Sequence, residues 1–474
     1  MSEYGLWIGG RLVNTGRVDT VVVPYDGAPF ASVHLAGAKE LEAAIQAAAR
    51  AKPVMRSITA AGRSDILYRA YRLMTERKEE FGRTVSLESG KPLREGLLEA
   101  ERAAQTLLFS AEQAHSLTGE VVPMDASAAG AGRMAMTVRE PVGVIAAITP
   151  FNFPLNLSLH KIAPAIAGGN TVVHKPASAT PVSALLLARL FSEAGLPDGA
   201  LNVVVGPGSE VGDPLVEDPR VAMVTFTGSA EIGLRIRQRA GLKRVTLELG
   251  NNSALIVHDD ADLDDCAARA VPGAFAHSGQ VCISIQRILV HRRVAEDFMA
   301  RFLRITEVLK IGHPLDASTQ VSSLINAAEA TRAERWIGRA VAGGAHLLAG
   351  GVRCGATLTP AVLAGVCVED ELWSNEAFAP VACFRAYETL DEAISLMNAS
   401  PYGLQAGIFT RGLEAAFEAA RQAKVGGFLI NDVPQYRLDH MPYGGVKLSG
   451  MGREGPKYAI EEMTEPKLIS WRWK

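Results

Sequence analysis

The feature that most constrains the fold is a change of pattern after residue 141, where short apolar segments begin to alternate with helical ones. The apolar, strand-like segments are 142–148, 171–174, 201–205, 223–226 and 244–247, and the helical segments between them are 155–167, 181–194 and 230–239. Buried strands separated by helices of about 10–15 residues are typical of a parallel α/β sheet. The sequence therefore predicts an α/β fold.

A second alternating series begins near residues 254–257 and continues to about residue 430. Amphipathic helices in 36–118, for example 39–51 and 61–78, precede the first series. Two α/β lobes are therefore expected to meet near Gly250, with Glu248 and Cys282 on either side of a cleft.

Two segments fit neither lobe. Residues 120–140 hold an Ala/Gly-rich loop (126–132) followed by a strand-like run at 134–138, and residues 467–473 alternate as an edge strand does. An exposed apolar edge favours pairing with another chain. The two segments are interpreted as one projecting sheet that forms a homo-oligomer, although a sheet that covers its own chain fits the pattern equally well.

Composition excludes several classes of function. A chain of 474 residues suggests two or three domains. A net charge of -3 gives no reason to expect nucleic acid or an anionic membrane as a partner. The five cysteines show no CxxC pair and no metal-ligand spacing, and no stretch approaches about 20 apolar residues. We therefore expect a cytoplasmic protein in a reducing compartment, with no metal site.

Cys282 is the most informative single residue. It lies in GQVCIS (279–284), a small and flexible segment, whereas structural cysteines usually sit in continuous apolar patterns. Upstream, TLELG (246–250) is a β-like run that carries one carboxylate, Glu248. A thiol that attacks a carbonyl carbon needs space, a nearby base and donors for the developing oxyanion. The pair is thus a candidate nucleophile and base.

Three further motifs follow predicted strands, at the strand ends where α/β sheets bind ligands. In TPFNFP (149–154), Asn152 could donate to an oxyanion or cap the next helix. In HKPAS (174–178), Lys175 could reach a ribose or phosphate, or be a solvated charge. In FTGSAEIG (226–233), Gly228 and Ser229 suit a phosphate at a helix start, or form an ordinary turn.

The motifs together resemble the aldehyde dehydrogenase superfamily over almost the whole chain. The ordered set is TPFNFP, HKPAS, FTGSAEIG, LELG (247–250), GQVC (279–282), NEAFAPV (375–381) and PYGGVKLSG (442–450). The resemblance implies two Rossmann-like α/β lobes plus a small β oligomerisation arm. It assigns residues 1–119 and 141–249 to a dinucleotide-binding domain, 250–430 to a catalytic domain, and 120–140 and 454–474 to the arm of a homodimer or homotetramer.

The resemblance also implies roles for individual residues. Cys282 would be the nucleophile, Glu248 the general base, and Asn152 the oxyanion donor together with the Cys282 backbone N–H. The cofactor would be NAD or NADP, with Lys175 and Ser178 at the adenosine ribose, Ser229 at the pyrophosphate, Glu376 at the nicotinamide ribose and Phe378 near the nicotinamide. The other implied cofactor residues are Thr149, Pro150 and Gly228, and the candidate substrate residues are Phe153, Arg102, Arg437 and His440.

Other segments narrow the resemblance to a lactaldehyde-dehydrogenase-like and phosphonoaldehyde-oxidising branch. They are LELGN (247–251), GQVCISIQR (279–287), YGLQAG (402–407) and VPQYRLDHMPYGG (433–445). Many NAD-preferring relatives have glutamate where this chain has Ser178, so NADP should be tolerated. Some relatives that act on phosphorylated or phosphonated aldehydes have arginine before the nucleophile, where this chain has Val281. The expected substrate is a small polar aldehyde, lactaldehyde-like or phosphono- or semialdehyde-like.

Two interpretations from other classes stay open at this point. Cys282 and Glu248 could form a cofactor-free thiol esterase, although hydrolysis alone has no use for Lys175, Ser229 and Glu376. The fold could also carry a non-catalytic protein. For Arg102, Arg437 and His440, ion pairs with neighbours such as Asp439 are as compatible with the sequence as contact with a substrate.

Overall fold

The computed structural model describes residues 2–473 as strands, helices and connecting turns. The strands of the first half are β1 (Ser2–Tyr4), β2 (Leu6–Ile8), β3 (Arg11–Val13), β4 (Val18–Val22), β5 (Pro29–His34), β6 (Val121–Val122), β7 (Arg133–Pro141), β8 (Val144–Ile148), β9 (Thr171–Lys175), β10 (Leu201–Val203), β11 (Val221–Thr227) and β12 (Arg244–Glu248). Those of the second half are β13 (Ser253–Val257), β14 (Ile285–His291), β15 (His346–Ala349), β16 (Arg353–Cys354), β17 (Thr357–Leu358), β18 (Ala361–Ala364), β19 (Val381–Tyr387), β20 (Gln405–Phe409), β21 (Gly427–Ile430), β22 (Gly450–Met451) and β23 (Thr464–Arg472).

The helices lie between these strands and cover their faces. They are α1 (Ala38–Ser57), α2 (Ala60–Glu76), α3 (Lys78–Ser89), α4 (Leu93–Ser116), α5 (Asn156–Ala167), α6 (Val182–Glu193), α7 (Asp213–Glu217), α8 (Ala230–Arg239), α9 (Leu263–Phe275), α10 (Ala295–Glu307), α11 (Ala327–Ala342), α12 (Glu371–Ser374), α13 (Leu390–Asn398), α14 (Leu413–Gln422) and α15 (Pro456–Glu462). Within the described part of the chain, no helix combines the length and the apolar composition that a membrane span requires.

The first lobe is built on an eight-stranded sheet in the order β22-β12-β11-β8-β9-β10-β2-β3. The five strands from β12 to β10 are parallel, and β8 and β9 are buried at every position. Strands covered on both faces are apolar throughout, which is why their sequences predict them. All five predicted strands are present, but β8 begins at Val144 rather than at residue 142, β10 ends at Val203 rather than at residue 205, and β12 ends on Glu248 rather than on residue 247.

The α/β fold predicted for this lobe is confirmed, but the antiparallel strands at both edges of its sheet were not predicted. The N-terminal hairpin β2–β3 pairs antiparallel with β10, and β22 pairs antiparallel with β12. An edge strand from a hairpin or a loop can add without the long crossover that a parallel strand needs. The small three-stranded sheet β1-β5-β4 in the same region was not predicted.

The second lobe contains a seven-stranded sheet in the order β15-β18-β19-β14-β13-β20-β21. Only its edge strand β15 is antiparallel, so the second alternating series is confirmed. Successive residues of β13 point to opposite faces. Ile256 packs into the core on one face, and Leu255 and Val257 pack into the core on the other.

The two segments assigned to neither lobe form one antiparallel sheet, as predicted. Strand β23 pairs with β7 along its whole length, from Thr464 opposite Pro141 to Arg472 opposite Arg133, and β6 pairs with the other edge of β7. The side chains of Leu468, Ile469 and Trp471 on β23 are exposed. The role of this sheet in assembly stays a prediction.

Candidate active site

Cys282 lies between a short helical turn, Ala276–Gly279, and the buried strand β14. His277 and Ser278 in that turn have positive φ angles of 47° and 54°, so the chain bends sharply just before the cysteine. Cys282 is half-buried as a residue, and its sulfur lies 2.8 Å from the hydroxyl oxygen of Tyr443. Burial raises the pKa of the Cys282 thiol to about 12. Access and a polar neighbour are both present, as a nucleophile requires.

Glu248 is the last residue of β12 and its side chain points into the interior. The residue is 2 % exposed, and neither carboxylate oxygen has a hydrogen-bond partner among the described residues. Burial, followed by the charge of Glu454, raises the pKa of Glu248 well above its ordinary value. An unpaired buried carboxylate is costly for a fold and typical of a functional group.

Tyr443 and Gly444 bring the cysteine and the carboxylate to one place. Tyr443 contacts the Cys282 sulfur. A Cβ atom added to Gly444 would lie 2.7 Å from Oε1 of Glu248, so only glycine permits this approach. Two adjacent residues thus lie against the two groups, which belong to the ends of different sheets: Glu248 ends β12 and Cys282 precedes β14.

Asn152 lies beside the cysteine segment and is 3 % exposed. Its Nδ2 donates to the carbonyl oxygen of Gln280 at 2.8 Å, and this bond spans the two lobes. Asn152 does not cap α5. Instead, Oε1 of Glu99 accepts hydrogen bonds from the backbone N–H groups of Leu155 and Asn156 at 3.0 and 3.1 Å. The amide is therefore held close to the cysteine segment and is not used by the helix.

The residues at the ends of β8 and β9 form a second group. The hydroxyl of Thr149 lies 3.0 Å from Nε2 of His174, and Pro150 is half-buried. Lys175 is almost completely buried, and its ammonium donates to the Pro176 carbonyl at 3.1 Å. Burial lowers the pKa of Lys175 to about 8. Nearby, the Ser178 hydroxyl donates to the Gly206 carbonyl at 3.1 Å.

Gly228 and Ser229 connect β11 to α8. The backbone N–H of Gly228 donates to the carbonyl of Glu248 at 3.0 Å. Ser229 is exposed and is the N-cap of α8, where its hydroxyl accepts from the backbone N–H of Ile232 at 3.4 Å. A phosphate site at a helix start and an ordinary turn would both have this geometry, so it favours neither interpretation.

Glu376 reaches across from the second lobe to the end of β12. Its Oε1 accepts from the backbone N–H of Asn251 at 2.9 Å. A Cβ atom at Gly250 would lie 2.3 Å from Oε2 of Glu376, so the glycine of the LELG motif provides room for this carboxylate. Burial raises the pKa of Glu376 to about 7. Phe378 packs edge-to-face against Phe151 with ring centroids 5.8 Å apart.

The two candidate substrate arginines are both in ion pairs. Arg102 on α4 donates from Nε and Nη2 to Asp439, at 3.1 and 2.9 Å. Arg437 is buried, with Nη2 3.2 Å from Oε2 of Glu454 and its guanidinium carbon 3.6 Å from the centroid of the Tyr443 ring. The ion-pair alternative left open by the sequence is thus observed for both.

The two other candidate substrate residues, His440 and Phe153, make contacts through their aromatic rings. The exposed ring of His440 lies 5.0 Å from that of Phe109 on α4. Phe153 belongs to the small cluster around Cys282, and the Lys91 ammonium lies 3.9 Å from its ring centroid. Phe153 is therefore beside the cysteine, whereas His440 is at the surface.

The comparison with known families decides the identity of this site. A model described as "Aldehyde dehydrogenase family" matches residues 13–469. The chain belongs to the aldehyde dehydrogenase family. The predicted resemblance and the predicted enzyme class, an oxidoreductase that acts on aldehydes, are confirmed.

Several family members are similar to this chain along its whole length. A 3-sulfolactaldehyde dehydrogenase of Priestia aryabhattai is 46% identical over 469 residues, which cover 99% of this chain and 98% of that protein. A lactaldehyde dehydrogenase of Methanococcus aeolicus is 37% identical over 468 residues, 98% of this chain and 99% of that protein. Among solved structures, one is similar over 97% of this chain and 100% of its own: the glyceraldehyde-3-phosphate dehydrogenase GapN of Methanocaldococcus jannaschii complexed with NADP. Its sequence is 38% identical to this chain, and the two structures superpose with a TM-score of 0.93.

One group of buried charges in this chain was not predicted from the sequence. Lys161 is fully buried in α5 and donates to Oε1 of Glu454 at 2.6 Å and to the Thr227 hydroxyl at 2.7 Å. Asp439 accepts from His160, as well as from Arg102, and these contacts lower its pKa although burial acts to raise it. A lone lysine in the apolar run 155–167 was the available signal, because a buried charge needs a partner.

Proposed function

We propose that this chain oxidises a short polar aldehyde to its carboxylic acid with NAD or NADP, using Cys282 as nucleophile, Asn152 as oxyanion donor and Glu248 as general base. The observation that supports this most is the meeting of the Cys282 sulfur and the unpaired Glu248 carboxylate at Tyr443 and Gly444. A thiol esterase would need the same pair. Family membership and the polar groups at the strand ends favour the dehydrogenase.

The residues at the strand ends fit a nicotinamide dinucleotide. The Lys175 ammonium donates to one backbone carbonyl within residues 2–473 and can offer two further hydrogens to ribose hydroxyls. Ser229 stands exposed at the start of the ten-residue helix α8, where N–H groups and the helix dipole favour a pyrophosphate. Among residues 2–473, none donates to Oε2 of Glu376, so this oxygen can accept from the second ribose. When bound, the nicotinamide supplies the acceptor for the hydride.

The chain's own groups carry the remaining steps. The Cys282 thiolate attacks the aldehyde carbon and forms a C–S bond, while the carbonyl electrons move to oxygen. The Nδ2 hydrogen of Asn152 that is not used by Gln280, with the backbone N–H of Cys282, stabilises that oxyanion. Loss of hydride leaves a thioester on Cys282. Glu248 then takes a proton from water, hydroxide adds to the thioester, and collapse releases the acid and the thiolate.

The proposed substrate is a three-carbon 2-hydroxy aldehyde, with or without an anionic group on the third carbon. The two relatives described above share the lactaldehyde skeleton in their names. Arg437 forms an ion pair with Glu454, whereas Arg102 is partly exposed and donates to Asp439 only from Nε and Nη2, so that its Nη1 can donate to a substrate. We propose that Arg102 and Phe153 contact the substrate, with His440 near the entrance.

A panel of aldehydes tests this substrate class. We expect kcat/KM for lactaldehyde and 3-sulfolactaldehyde to exceed the values for propanal, hexanal and succinate semialdehyde by at least about tenfold, because a site built for a hydroxyl rejects analogues that lack it. Each aldehyde should be measured with NAD and with NADP. A preference for hexanal or succinate semialdehyde would defeat the proposed substrate while leaving the reaction type intact.

Cofactor choice is tested at Ser178. The Ser178→Glu change should raise the Kd of NADP by at least about tenfold while changing the Kd of NAD by less, because the new carboxylate would repel a 2′-phosphate. Ser192→Glu is a matched control, since it adds the same charge at an exposed position on α6. Fluorescence titration of the protein with each dinucleotide measures both Kd values. If the wild-type protein binds neither dinucleotide, the dehydrogenase proposal fails and the thiol esterase is favoured.

We also propose that the β6–β7–β23 sheet joins subunits into a homodimer or homotetramer. The exposed apolar side chains of β23 support this, because such an edge is otherwise an aggregation hazard. A cytoplasmic location stays a prediction.

A further inference from the structure

The contact of the Tyr443 hydroxyl with the Cys282 sulfur is short and enclosed. The two atoms are 2.8 Å apart, and Tyr443 is 3 % exposed. Within residues 2–473, the Tyr443 hydroxyl has no hydrogen-bond partner other than this sulfur. A phenol O–H is a much better donor than a thiol, and a thiolate is a better acceptor than a thiol. The hydrogen bond is therefore strongest when the sulfur is negatively charged.

Arg437 places a positive charge on the face of the same tyrosine ring. Its guanidinium carbon is 3.6 Å from the ring centroid, within the range of a cation–π contact. The side chain is held by Glu454 at 3.2 Å and lies 3.3 Å from Nε2 of His160. Lys161 donates to the same Glu454 carboxylate at 2.6 Å, so two cations share one anion. The charge of Glu454 therefore offsets only one of these two cations.

We propose that Tyr443 is a catalytic residue that donates a hydrogen bond to the Cys282 thiolate, and that Arg437 is a positioning residue that acts through the Tyr443 ring. This inference rests on the proposed function, in which Cys282 is the nucleophile. It assigns the activation of the thiol to a pair of residues on the loop before β22, rather than to the general base.

The charged and titratable groups that face Cys282 act in both directions. Burial raises the pKa of its thiol, and the negative charges of Glu376 and Glu248 raise it further. The hydrogen bond from Tyr443 and the charge of Arg437 lower it. Tyr443 and Arg437 are thus the groups that oppose burial, and removal of the hydroxyl leaves the thiolate less stable.

The test is the pH dependence of Cys282 alkylation in Tyr443→Phe, a change that removes one hydroxyl and keeps the ring under Arg437. Iodoacetamide labelling of the peptide that contains Cys282 is followed by mass spectrometry, which separates it from the exposed Cys354 and Cys367. We expect labelling at neutral pH to slow by about tenfold, because a rise of about one unit in the thiol pKa lowers the thiolate fraction about tenfold. The value of kcat/KM at neutral pH should fall by a similar factor.

Tyr436→Phe is the matched control, because Tyr436 lies on the same loop and its side chain is exposed. It should leave the titration unchanged. Arg437→Gln should shift the titration in the same direction as Tyr443→Phe. Its added effect should be smaller in the Tyr443→Phe background than in the wild-type protein. Arg437→Lys keeps the positive charge and should titrate nearly as the wild type does. If Tyr443→Phe does not fold, the comparison of Arg437→Gln with Arg437→Lys decides.

An unchanged titration in Tyr443→Phe, or equal titrations in the two Arg437 variants, would overturn this role. Because labelling is measured without aldehyde or dinucleotide, its outcome is separate from that of the proposed function. An inactive Cys282→Ala enzyme with an unshifted Tyr443→Phe titration defeats only the role of Tyr443. Activity that survives Cys282→Ala defeats the proposed function, whatever the titration shows.

Discussion

Replacement of Cys282 by alanine is expected to abolish aldehyde oxidation, with kcat falling by at least about 10⁴-fold, because no other group can form the covalent intermediate. The change removes one sulfur atom from a half-buried site, so the fold should persist. The Kd of NAD or NADP, measured by fluorescence titration, should change by less than about threefold, since the proposed dinucleotide contacts lie on other residues.

Cys354→Ala provides the control for this experiment. Cys354 is an exposed free cysteine on β16 in the second lobe, and its loss should leave kcat within about twofold of the wild-type value. If Cys282→Ala retained full activity, the nucleophile would be misassigned. If it lost dinucleotide binding together with activity, the whole site would be disrupted, and the loss of activity would not identify the sulfur as the nucleophile.

The parts of the fold that could be predicted are those whose sequence signal is local. Strands β8 and β9 are buried at every position, so their near-continuous apolar sequences predict them and place TPFNFP and HKPAS at their ends. Strand β3 has only three residues, two of them exposed, and is too short for an alternating pattern to be recognised. Short edge strands of this kind form because a neighbouring strand pairs with them, and not because their own residues favour a strand.

The contacts that organise the site are long-range and could not be predicted. Arg102 and its partner Asp439 are 337 positions apart, and Tyr443 is 161 positions from Cys282. Periodicity and motif spacing describe neighbours along the chain, so they indicate that Arg102 needs a partner but not which carboxylate supplies it. The order of the motifs sufficed for the family, whereas the role of Tyr443 became visible only from the distance.

Glu248→Gln should separate the two halves of the reaction. The amide is nearly isosteric with the carboxylate but cannot accept a proton from water, so the enzyme should acylate and then stall. We expect a burst of reduced cofactor of about one equivalent per active site, followed by steady turnover about 10²- to 10⁴-fold slower than wild type. Stopped-flow absorbance measures the burst, and mass spectrometry of the Cys282 peptide should detect the acyl group.

Two controls identify the missing step. Hydroxylamine should restore turnover in Glu248→Gln, because it attacks a thioester without a general base, and Glu112→Gln on the exposed face of α4 should behave as wild type. The wild-type enzyme should also show a growing burst as the pH falls. Burial raises the pKa of Glu248, so the base becomes protonated at a pH where an ordinary glutamate is still charged. Steady turnover of Glu248→Gln without a burst would show instead that acylation limits the variant, and that Glu248 acts before the thioester forms.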